Sequence, residues 1–276
     1  MTDRYAIVGH PVAHSKSPQI HALFARETGQ DMNYERLLAP LDGFREAIEA
    51  FRLSGARGAN VTLPFKLDAA RYATEVSERA RAAGAVNTLR FDADKIIGEN
   101  TDGVGLCTDL TKNLGVTLAG SRILMIGAGG AARGVIGPLL AAKPKQLAIT
   151  NRTQSRAEDV AGLFSGSAGA SPIALSLQQL PAHRFDLIIN ATSASLAESL
   201  PPVPVSCFDE GAFAYDMMYG IGQTPFLALA SSAGAKTADG LGMLVEQAAE
   251  AFSIWRGVRP STAPVINHLR AQLQQA

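Results

Sequence analysis

The sequence is short of several things, and each shortage narrows what the protein can be. Cysteine is nearly absent: 276 residues contain two, Cys107 and Cys207. They lie far apart and form no Cys-x-x-Cys, so neither a disulfide framework nor a cysteine metal site is expected. Two idle thiols suit a reducing compartment, and the cytoplasm is the expected location. Aromatic residues make up 6% of the chain, too few for a base-stacking platform. Charged residues make up 18%, and neither sign dominates, with 25 basic and 25 acidic side chains. That balance speaks against a strongly basic nucleic-acid binder and against a polyacidic disordered chain. No apolar run reaches the roughly eighteen residues of a membrane-crossing helix. The N-terminus enters Tyr5-Ala6-Ile7-Val8 at once, with no cationic flank or cleavage site before it, unlike a signal peptide. Neither a nucleic acid nor a membrane is expected as a partner.

What is present is alternation. Hydrophobic residues are 47% of a chain long enough for one large domain or two smaller ones. Strand-like runs fall at Tyr5–Val8, Tyr34–Leu38, Gly58–Leu63, Arg122–Ile126, Gln146–Thr150, Asp186–Asn190 and Phe213–Met217. Amphipathic or alanine-rich stretches such as Gly43–Leu53, Ala131–Ala142 and Arg156–Phe164 lie between them. This order predicts an α/β protein with mostly parallel sheets. Val86–Ile97 reads as a hairpin turning at Asp92-Ala93-Asp94, and residues 165–172, rich in Ser, Gly and Ala, read as a loop. Polar clusters place boundaries near Asn100-Thr101-Asp102-Gly103 and Asp239-Gly240, which divides the chain into 1–101, 102–239 and 240–276. Leu241, Leu244, Val245, Ala248, Phe252 and Trp255 form a one-faced helical stripe, and a last helix is expected from Pro264.

The most mechanistic local motif is the apolar strand Arg122–Ile126 running into Gly127-Ala128-Gly129-Gly130-Ala131-Ala132. Gly127 permits a tight turn, Gly129 lets backbone approach a pyrophosphate, and Ala132 allows close helix–strand packing. The helix that follows offers free N–H groups and the positive end of its dipole to phosphate. The next strand ends in Asn151-Arg152-Thr153-Gln154-Ser155-Arg156, without the carboxylate an NAD ribose would want. Arg152 and Arg156 instead suit bidentate capture of a 2′-phosphate, so NADP(H) is the expected cofactor. No acid occurs between Asp109 and Glu158, while seven basic residues do. Asn190, Ala191 and Thr192 follow another strand and are candidate cofactor contacts, although a polar turn explains them nearly as well.

The N-terminal segment supplies a second constellation. Ser17-Pro18 reads as an N-cap followed by proline at the first helical position. Ser15 has no such structural reason, and with Lys16 nearby a hydroxyl pair suits a carboxylate or polyol. Asn60 and Thr62 are two apart on an expected strand and face one side. Lys66 stands at the following loop-to-helix junction, Asn87 starts the hairpin, and Asp102 sits at the boundary. Together they offer a cation, a carboxylate and neutral hydrogen-bonding groups, the set needed to hold and deprotonate a hydroxyl. His10 and His14 are four apart, but Pro11 argues against a helix there and no Glu or Cys completes a site, so no metal is expected.

With these segments in view, the chain resembles the shikimate dehydrogenase family along essentially its full length. The resemblance rests on Gly9-His10-Pro11 with Ser15-Lys16-Ser17-Pro18, Asn60-Val61-Thr62-Leu63-Pro64-Phe65-Lys66, Gly84-Ala85-Val86-Asn87-Thr88 and Gly98-Glu99-Asn100-Thr101-Asp102-Gly103. It continues through the glycine loop, Asn151-Arg152-Thr153, Asn190-Ala191-Thr192-Ser193, Asp216-Met217-Met218-Tyr219, Thr224-Pro225-Phe226-Leu227, Asp239-Gly240-Leu241-Gly242-Met243-Leu244 and Gln247-Ala248. It implies reversible NADPH-dependent reduction of 3-dehydroshikimate to shikimate, a step toward chorismate and the aromatic amino acids. It implies an N-terminal α/β substrate domain over 1–101, a doubly wound Rossmann-type NADP domain over 102–239, and C-terminal helices over 240–276 returning to the first domain. Lys66 and Asp102 match the family's catalytic pair. Ser15 and Ser17 match its carboxylate hydroxyls, and Thr62, Asn87 and Gln247 its hydroxyl-binding residues. Gly127, Ala128, Gly129, Gly130, Ala131, Asn151, Arg152, Thr153 and Arg156 fall in its NADP site. Met217, Tyr219 and Gly240 lie where the family flanks nicotinamide or substrate.

Two departures stand out. Ala194-Ser195-Leu196 replaces the glycine and methionine usual after the Asn190–Ser193 motif, so a different loop geometry is expected there. Gly220-Ile221-Gly222-Gln223 stands where many members carry a proline, so a change in stiffness is expected. The competing readings are an NAD-preferring quinate/shikimate dehydrogenase, which would want an acid in 151–156, and a non-catalytic shikimate/NADP sensor, which would lack Lys66 or Asp102. Oligomeric state is not visible in the sequence, and a homodimer stays open.

Overall fold

The apolar runs form strands, and the amphipathic stretches between them form helices that cover the sheets. In the computed structural model, which describes residues 2–166, 171–192 and 200–275, the strands divide into two sheets. The first holds β1 (Asp3–Gly9), β2 (Met32–Leu38), β3 (Gly58–Val61), β4 (Glu75–Val76), β5 (Thr88–Phe91) and β6 (Ile96–Glu99), in the order β2-β1-β3-β5-β6-β4. The second holds β7 (Arg122–Ile126), β8 (Gln146–Thr150), β9 (Ile173–Ala174), β10 (Phe185–Asn190), β11 (Phe208–Asp216) and β12 (Lys236–Asp239), in the order β12-β11-β10-β7-β8-β9. The helices are α1 (Ser17–Thr28), α2 (Phe44–Leu53), α3 (Lys66–Tyr72), α4 (Glu78–Ala83), α5 (Asp102–Thr108), α6 (Gly130–Ala141), α7 (Gln154–Leu163), α8 (Pro225–Ser232), α9 (Leu241–Arg256) and α10 (Ala263–Gln275). Part of the expected 165–172 loop, residues 167–170, lies outside the described residues. Among the described residues no helix is long and apolar enough to cross a membrane.

Every strand pair in the second sheet is parallel. Its order is that of a doubly wound nucleotide-binding sheet, with the reversal between β7 and β10. The crevice at that reversal opens beyond the carboxyl ends of these two strands. The expectation of mostly parallel sheets fits the first sheet less well. There β1 pairs in parallel with β2 and β3, but β5 runs antiparallel to both β3 and β6. The physical reason is the β5–β6 hairpin, whose tight turn is closed by the Asp92 N–H donating to the Lys95 carbonyl at 2.9 Å.

Two local expectations need correction. The N-cap of α1 is Lys16, not Ser17, and Ser17 is the first helical residue. The Ser15 hydroxyl, one residue before that cap, accepts from the Ser17 N–H at 3.2 Å. Strand β3 ends at Val61, so Thr62 lies beyond the ladder, with its N–H donating to the Val8 carbonyl.

Helix α5 joins the two sheets' surroundings. Leu106 and Leu110 are buried in the core of the second sheet. Gly103 lies so close to α6 that an added Cβ would stand 2.6 Å from the Gly134 carbonyl oxygen. Gly105 does the same toward α9, where a Cβ would meet the Gln247 backbone nitrogen at 2.8 Å. Helix α9 in turn buries Leu241, Val245, Ala248 and Phe252 against Ile20 and Phe24 of α1, with Val265 and Leu269 of α10 closing the cluster.

One buried group in this region is unusual. His21 is fully buried, stacks on Tyr34 with ring centroids 4.1 Å apart, and neither ring nitrogen has a hydrogen-bond partner. Burial pushes its pKa down to about 3, with nearby Asn60 opposing. A folded-state pKa below the unfolded value means that stability is complete above pH 6.5 and declines as pH falls toward 3. Unfolding free energy is therefore expected to drop by about 2 kcal/mol between pH 7 and pH 5. Urea melts at both pH values test this, and His21→Phe should flatten the difference. An unchanged slope in that variant would show that other groups set it.

Candidate active site

Two helix N-termini converge on an ion pair. Asp102 is the first residue of α5, where the positive end of the helix dipole favours a carboxylate. Asn100 fixes the backbone there: its side-chain oxygen accepts from the Asp102 N–H at 3.1 Å, and its amide nitrogen donates to the Ala85 carbonyl at 3.0 Å. Lys66 is the first residue of α3, where the same dipole opposes an ammonium. The opposing field is offset by Asp102, whose Oδ2 accepts from Lys66 Nζ at 2.5 Å. The side chains retain 15% and 8% of their exposure, so water screens this pair less than a surface one. Gly134 of α6 backs the carboxylate, and a Cβ there would come within 3.1 Å of Oδ2.

Three further groups close around the pair. Asn87 Nδ2 donates to Asp102 Oδ1 at 2.8 Å and to Thr101 Oγ1 at 2.9 Å. Gln247 reaches in from α9, with Oε1 3.5 Å from Asn87 Nδ2 and 3.3 Å from Thr101 Oγ1. Its own amide is held by donation to the Leu244 carbonyl. The fold thus brings Lys66, Asn87, Asp102 and Gln247 into one hydrogen-bonded group. Ser15, Thr62 and Tyr219 make no hydrogen bond to that group among the described residues. Ser17 is buried beside Tyr34. Thr62 turns its methyl to Gly9, where an added Cβ would be 2.5 Å away. Tyr219 is half-buried against the α1–α9 cluster, and burial raises its hydroxyl pKa.

Sequence reasoning passes over Tyr34, Thr88, Asn100 and Thr101 as site residues, although all are buried. The available signal is polarity inside apolar or turn segments, as with Asn60 in Gly58-Ala59-Asn60-Val61. Nothing local says which polar residues meet. Of the two loop histidines, His10 has its Nδ1 2.8 Å from the Ala39 carbonyl. Among the described residues no group of three His, Cys, Asp or Glu could hold an ion.

A glycine-rich turn follows β7. Gly127 has φ +108°, in the region that favours glycine, and a Cβ there would meet Thr192 Cγ2 at 3.0 Å. Gly129 caps α6 with no side chain over the free N–H groups, and the space beside Gly129 and Gly130 is open. Arg152 and Arg156 are exposed and make no ion pair among the described residues. Asn151 donates to the Thr153 carbonyl at 2.9 Å and shapes the turn between them. Asn190 donates to Asp216 and accepts from the Thr192 hydroxyl, which ties the ends of β10 and β11 together. Gly240 packs on the Met217 backbone so tightly that a Cβ would lie 2.3 Å from its carbonyl oxygen. This donor set, an uncapped helix start beside two unpaired guanidiniums, fits a dinucleotide with a 2′-phosphate.

Of the two departures, Ala194-Ser195-Leu196, with Ser193 before it, lies outside the described residues. The other contains Gly222 at φ +76°, and Gln223 anchors it by donating to the Leu227 carbonyl and the Ser231 hydroxyl. A groove of about 560 Å³ between α4 and α6, lined by Ser77, Glu78, Arg133, Pro138 and Phe164 among others, contains none of the predicted site residues.

Comparison with known proteins adds an independent observation. The sequence matches profiles described as shikimate dehydrogenase substrate binding domain over residues 7–89, shikimate/quinate 5-dehydrogenase over 109–198, and shikimate 5′-dehydrogenase C-terminal domain over 240–270. A shikimate dehydrogenase (NADP(+)) from Nitrosospira multiformis is 57% identical over 274 residues, 99% of each chain. Among solved structures, an Ael1 enzyme from Pseudomonas putida superposes with TM-score 0.91 at 46% identity, over 97% of this chain and 98% of the other. Shikimate 5-dehydrogenase from Thermus thermophilus, solved in complex with NADP(H) and shikimate, gives TM-score 0.88 at 35% identity, over 98% and 100% of the two chains.

The contact of α5 with α9 places Gln247 beside Asn87, and it leaves no room for a side chain at 105. Gly105→Val is expected to destabilise the protein by about 1–3 kcal/mol through overpacking. Thermal denaturation measures this, and a parent-like midpoint would mean that α9 yields without cost.

Proposed function

The chain belongs to the shikimate dehydrogenase family, and from that premise we propose that Lys66 and Asp102 carry its reaction, the reversible NADPH-dependent reduction of 3-dehydroshikimate to shikimate. The observation that carries this residue assignment is the 2.5 Å contact between Lys66 Nζ and Asp102 Oδ2, set among Asn87, Thr101 and Gln247. Reduction of the ketone needs a hydride at carbon and a proton at oxygen. Bound NADPH supplies the hydride. Lys66 supplies the proton to the developing alkoxide, and in the reverse direction takes it from the shikimate hydroxyl. Asp102 holds the ammonium in place and accepts from a neighbouring substrate hydroxyl. Asn87, Thr62 and Gln247 bind the remaining hydroxyls. Ser15 and Ser17 take the ring carboxylate, and Tyr219 borders the substrate.

The cofactor residues divide by charge. Backbone N–H groups of Gly127, Ala128, Gly129, Gly130 and Ala131 hold the pyrophosphate, and Arg152 and Arg156 hold the 2′-phosphate, with Asn151 and Thr153 shaping the turn between them. Asn190, Ala191, Thr192, Met217 and Gly240 line the nicotinamide end. No acid stands in 151–156, so an NAD-preferring enzyme is not favoured. An intact Lys66–Asp102 pair disfavours a non-catalytic sensor. The division into a substrate domain over 1–101 with 240–276, and a cofactor domain over 102–239, is supported by the two sheets and by the packing of α9 and α10 on α1. We assign the protein to the cytoplasm, consistent with two unpaired cysteines, of which Cys107 has its thiol pushed up to about 12 by burial.

Two experiments test these roles. Lys66→Ala should lower kcat by roughly 10²–10⁴-fold, the usual value of general acid–base help, as followed by absorbance at 340 nm with shikimate and NADP⁺. Near-normal turnover with a raised KM would make Lys66 an anchor instead. Arg152→Ala should raise KM for NADPH far more than for NADH, and equal losses with both cofactors would remove the 2′-phosphate role.

A further inference from the structure

A chain of buried hydrogen bonds runs from β2 to the catalytic pair. The Tyr34 hydroxyl donates to Asn60 Oδ1 at 2.7 Å. Asn60 Nδ2 donates to Thr88 Oγ1 at 3.0 Å. The Thr88 hydroxyl donates to Asn87 Oδ1 at 2.9 Å, and Asn87 Nδ2 donates to Asp102 Oδ1 at 2.8 Å. All five residues are buried, so no bulk water substitutes for a missing partner.

The protons in this chain have only one arrangement. An ionised Asp102 only accepts, so Asn87 must turn its nitrogen toward it. Asn87 Oδ1 then needs donors, and finds the Thr88 hydroxyl and the Thr101 N–H at 2.8 Å. Asn60 Nδ2 also donates to the Asn87 backbone carbonyl at 3.3 Å, which only accepts, so Asn60 presents its nitrogen and Thr88 accepts from it while donating to Asn87. That leaves Asn60 Oδ1 buried and facing β2, where Tyr34 supplies the donor. His21, stacked flat on the Tyr34 ring, fixes the phenol's plane.

We propose that Tyr34, Asn60 and Thr88 are positioning residues for the Lys66–Asp102 pair, locking the Asn87 amide with its nitrogen on Asp102. The proposal rests on the catalytic assignment made above. Without the Tyr34 hydroxyl, Asn60 Oδ1 loses that donor, and the Asn60 amide, still donating to Thr88 Oγ1 and to the Asn87 carbonyl at 3.3 Å, loses the contact that fixes its plane. A displaced or missing Thr88 hydroxyl leaves Asn87 Oδ1 to Thr101 alone, through its N–H at 2.8 Å and its hydroxyl at 3.2 Å. A less firmly held Asn87 amide lets Asp102 Oδ1, and with it Oδ2, shift relative to Lys66 Nζ. The loss falls on proton transfer more than on binding.

Thr88→Val removes the hydroxyl while keeping the shape, and should lower kcat about tenfold, the equivalent of one buried hydrogen bond. KM for shikimate should stay within a factor of about two to three, and Thr88→Ser should restore most of the lost kcat. Tyr34→Phe should lower kcat by about threefold to tenfold. If the chain is one device, the double variant loses little more than Thr88→Val alone. Multiplying losses, a parent-like kcat in Thr88→Val, or a loss in Thr88→Val that Thr88→Ser does not restore, would overturn the relay. Lys66→Ala run alongside separates the two claims. A crippled Lys66→Ala beside an active Thr88→Val rejects the relay alone, whereas an active Lys66→Ala rejects the catalytic assignment and the relay with it. Thermal midpoints identify a variant that merely unfolds, and Tyr34→Phe, which loses one oxygen, then carries the test.

Discussion

An ammonium and a carboxylate drawn mostly out of water constrain much of this molecule. Separating Lys66 from Asp102 would leave one charge desolvated without a partner, which costs several kcal/mol in a protein interior. Lys66 begins α3 and Asp102 begins α5, so the two helix starts must meet. Asn100 ties the α5 start to Ala85, and Asn87 ties Asp102 to the beginning of β5. The pair is thus part of the frame as well as of the proposed chemistry. Its geometry is set by backbone segments that cannot move far independently.

The same pair explains why α5 is crowded with small residues. Gly103 lets α6 come near enough for Gly134 to back the carboxylate, and Gly105 lets α9 come near enough for Gln247 to reach Asn87. The last part of the chain returns to make this contact. It is held there by Phe24 and Ile20 against α9, by Arg270 on Asp239 and by Arg259 on the buried Glu246. Gly242 completes the packing, since any side chain there would collide with the Asp109 carboxylate. Asp109 itself is buried and accepts from Tyr215 and Asn113.

The cofactor side follows a different rule. There the proposed ligand is a polyanion, and the glycine turn offers open N–H groups while Arg152 and Arg156 make no ion pair among the described residues, in place of a closed network. Balanced net charge conceals this, because seven basic residues fall in an acid-free stretch between Asp109 and Glu158. The strand order then puts the glycine turn and the Asn190–Thr192 turn on either side of one crevice.

Much of this architecture is legible in the amino-acid sequence alone. Continuous apolar runs mark β7 and β8 to the residue, because a strand covered on both faces leaves a run with clear ends. Other elements are not legible: β4 and β9 are two residues long, too short for any periodicity. The cap of α1 is easily misplaced because Ser17 offers a hydroxyl directly before Pro18, whereas the backbone makes Lys16 the cap and Ser17 the first helical residue. By itself the sequence determined which backbone turns need glycine, where an apolar strand runs into an uncapped helix start, and which residue types are available to move a proton. These are local properties of a few consecutive residues. Only the tertiary structure decided that Gln247 meets Asn87, that Gly134 backs Asp102, and that Tyr34 heads a chain ending at the same carboxylate. Those partners are distant in sequence, and their meeting depends on how closely α5, α6 and α9 pack, which no short segment encodes.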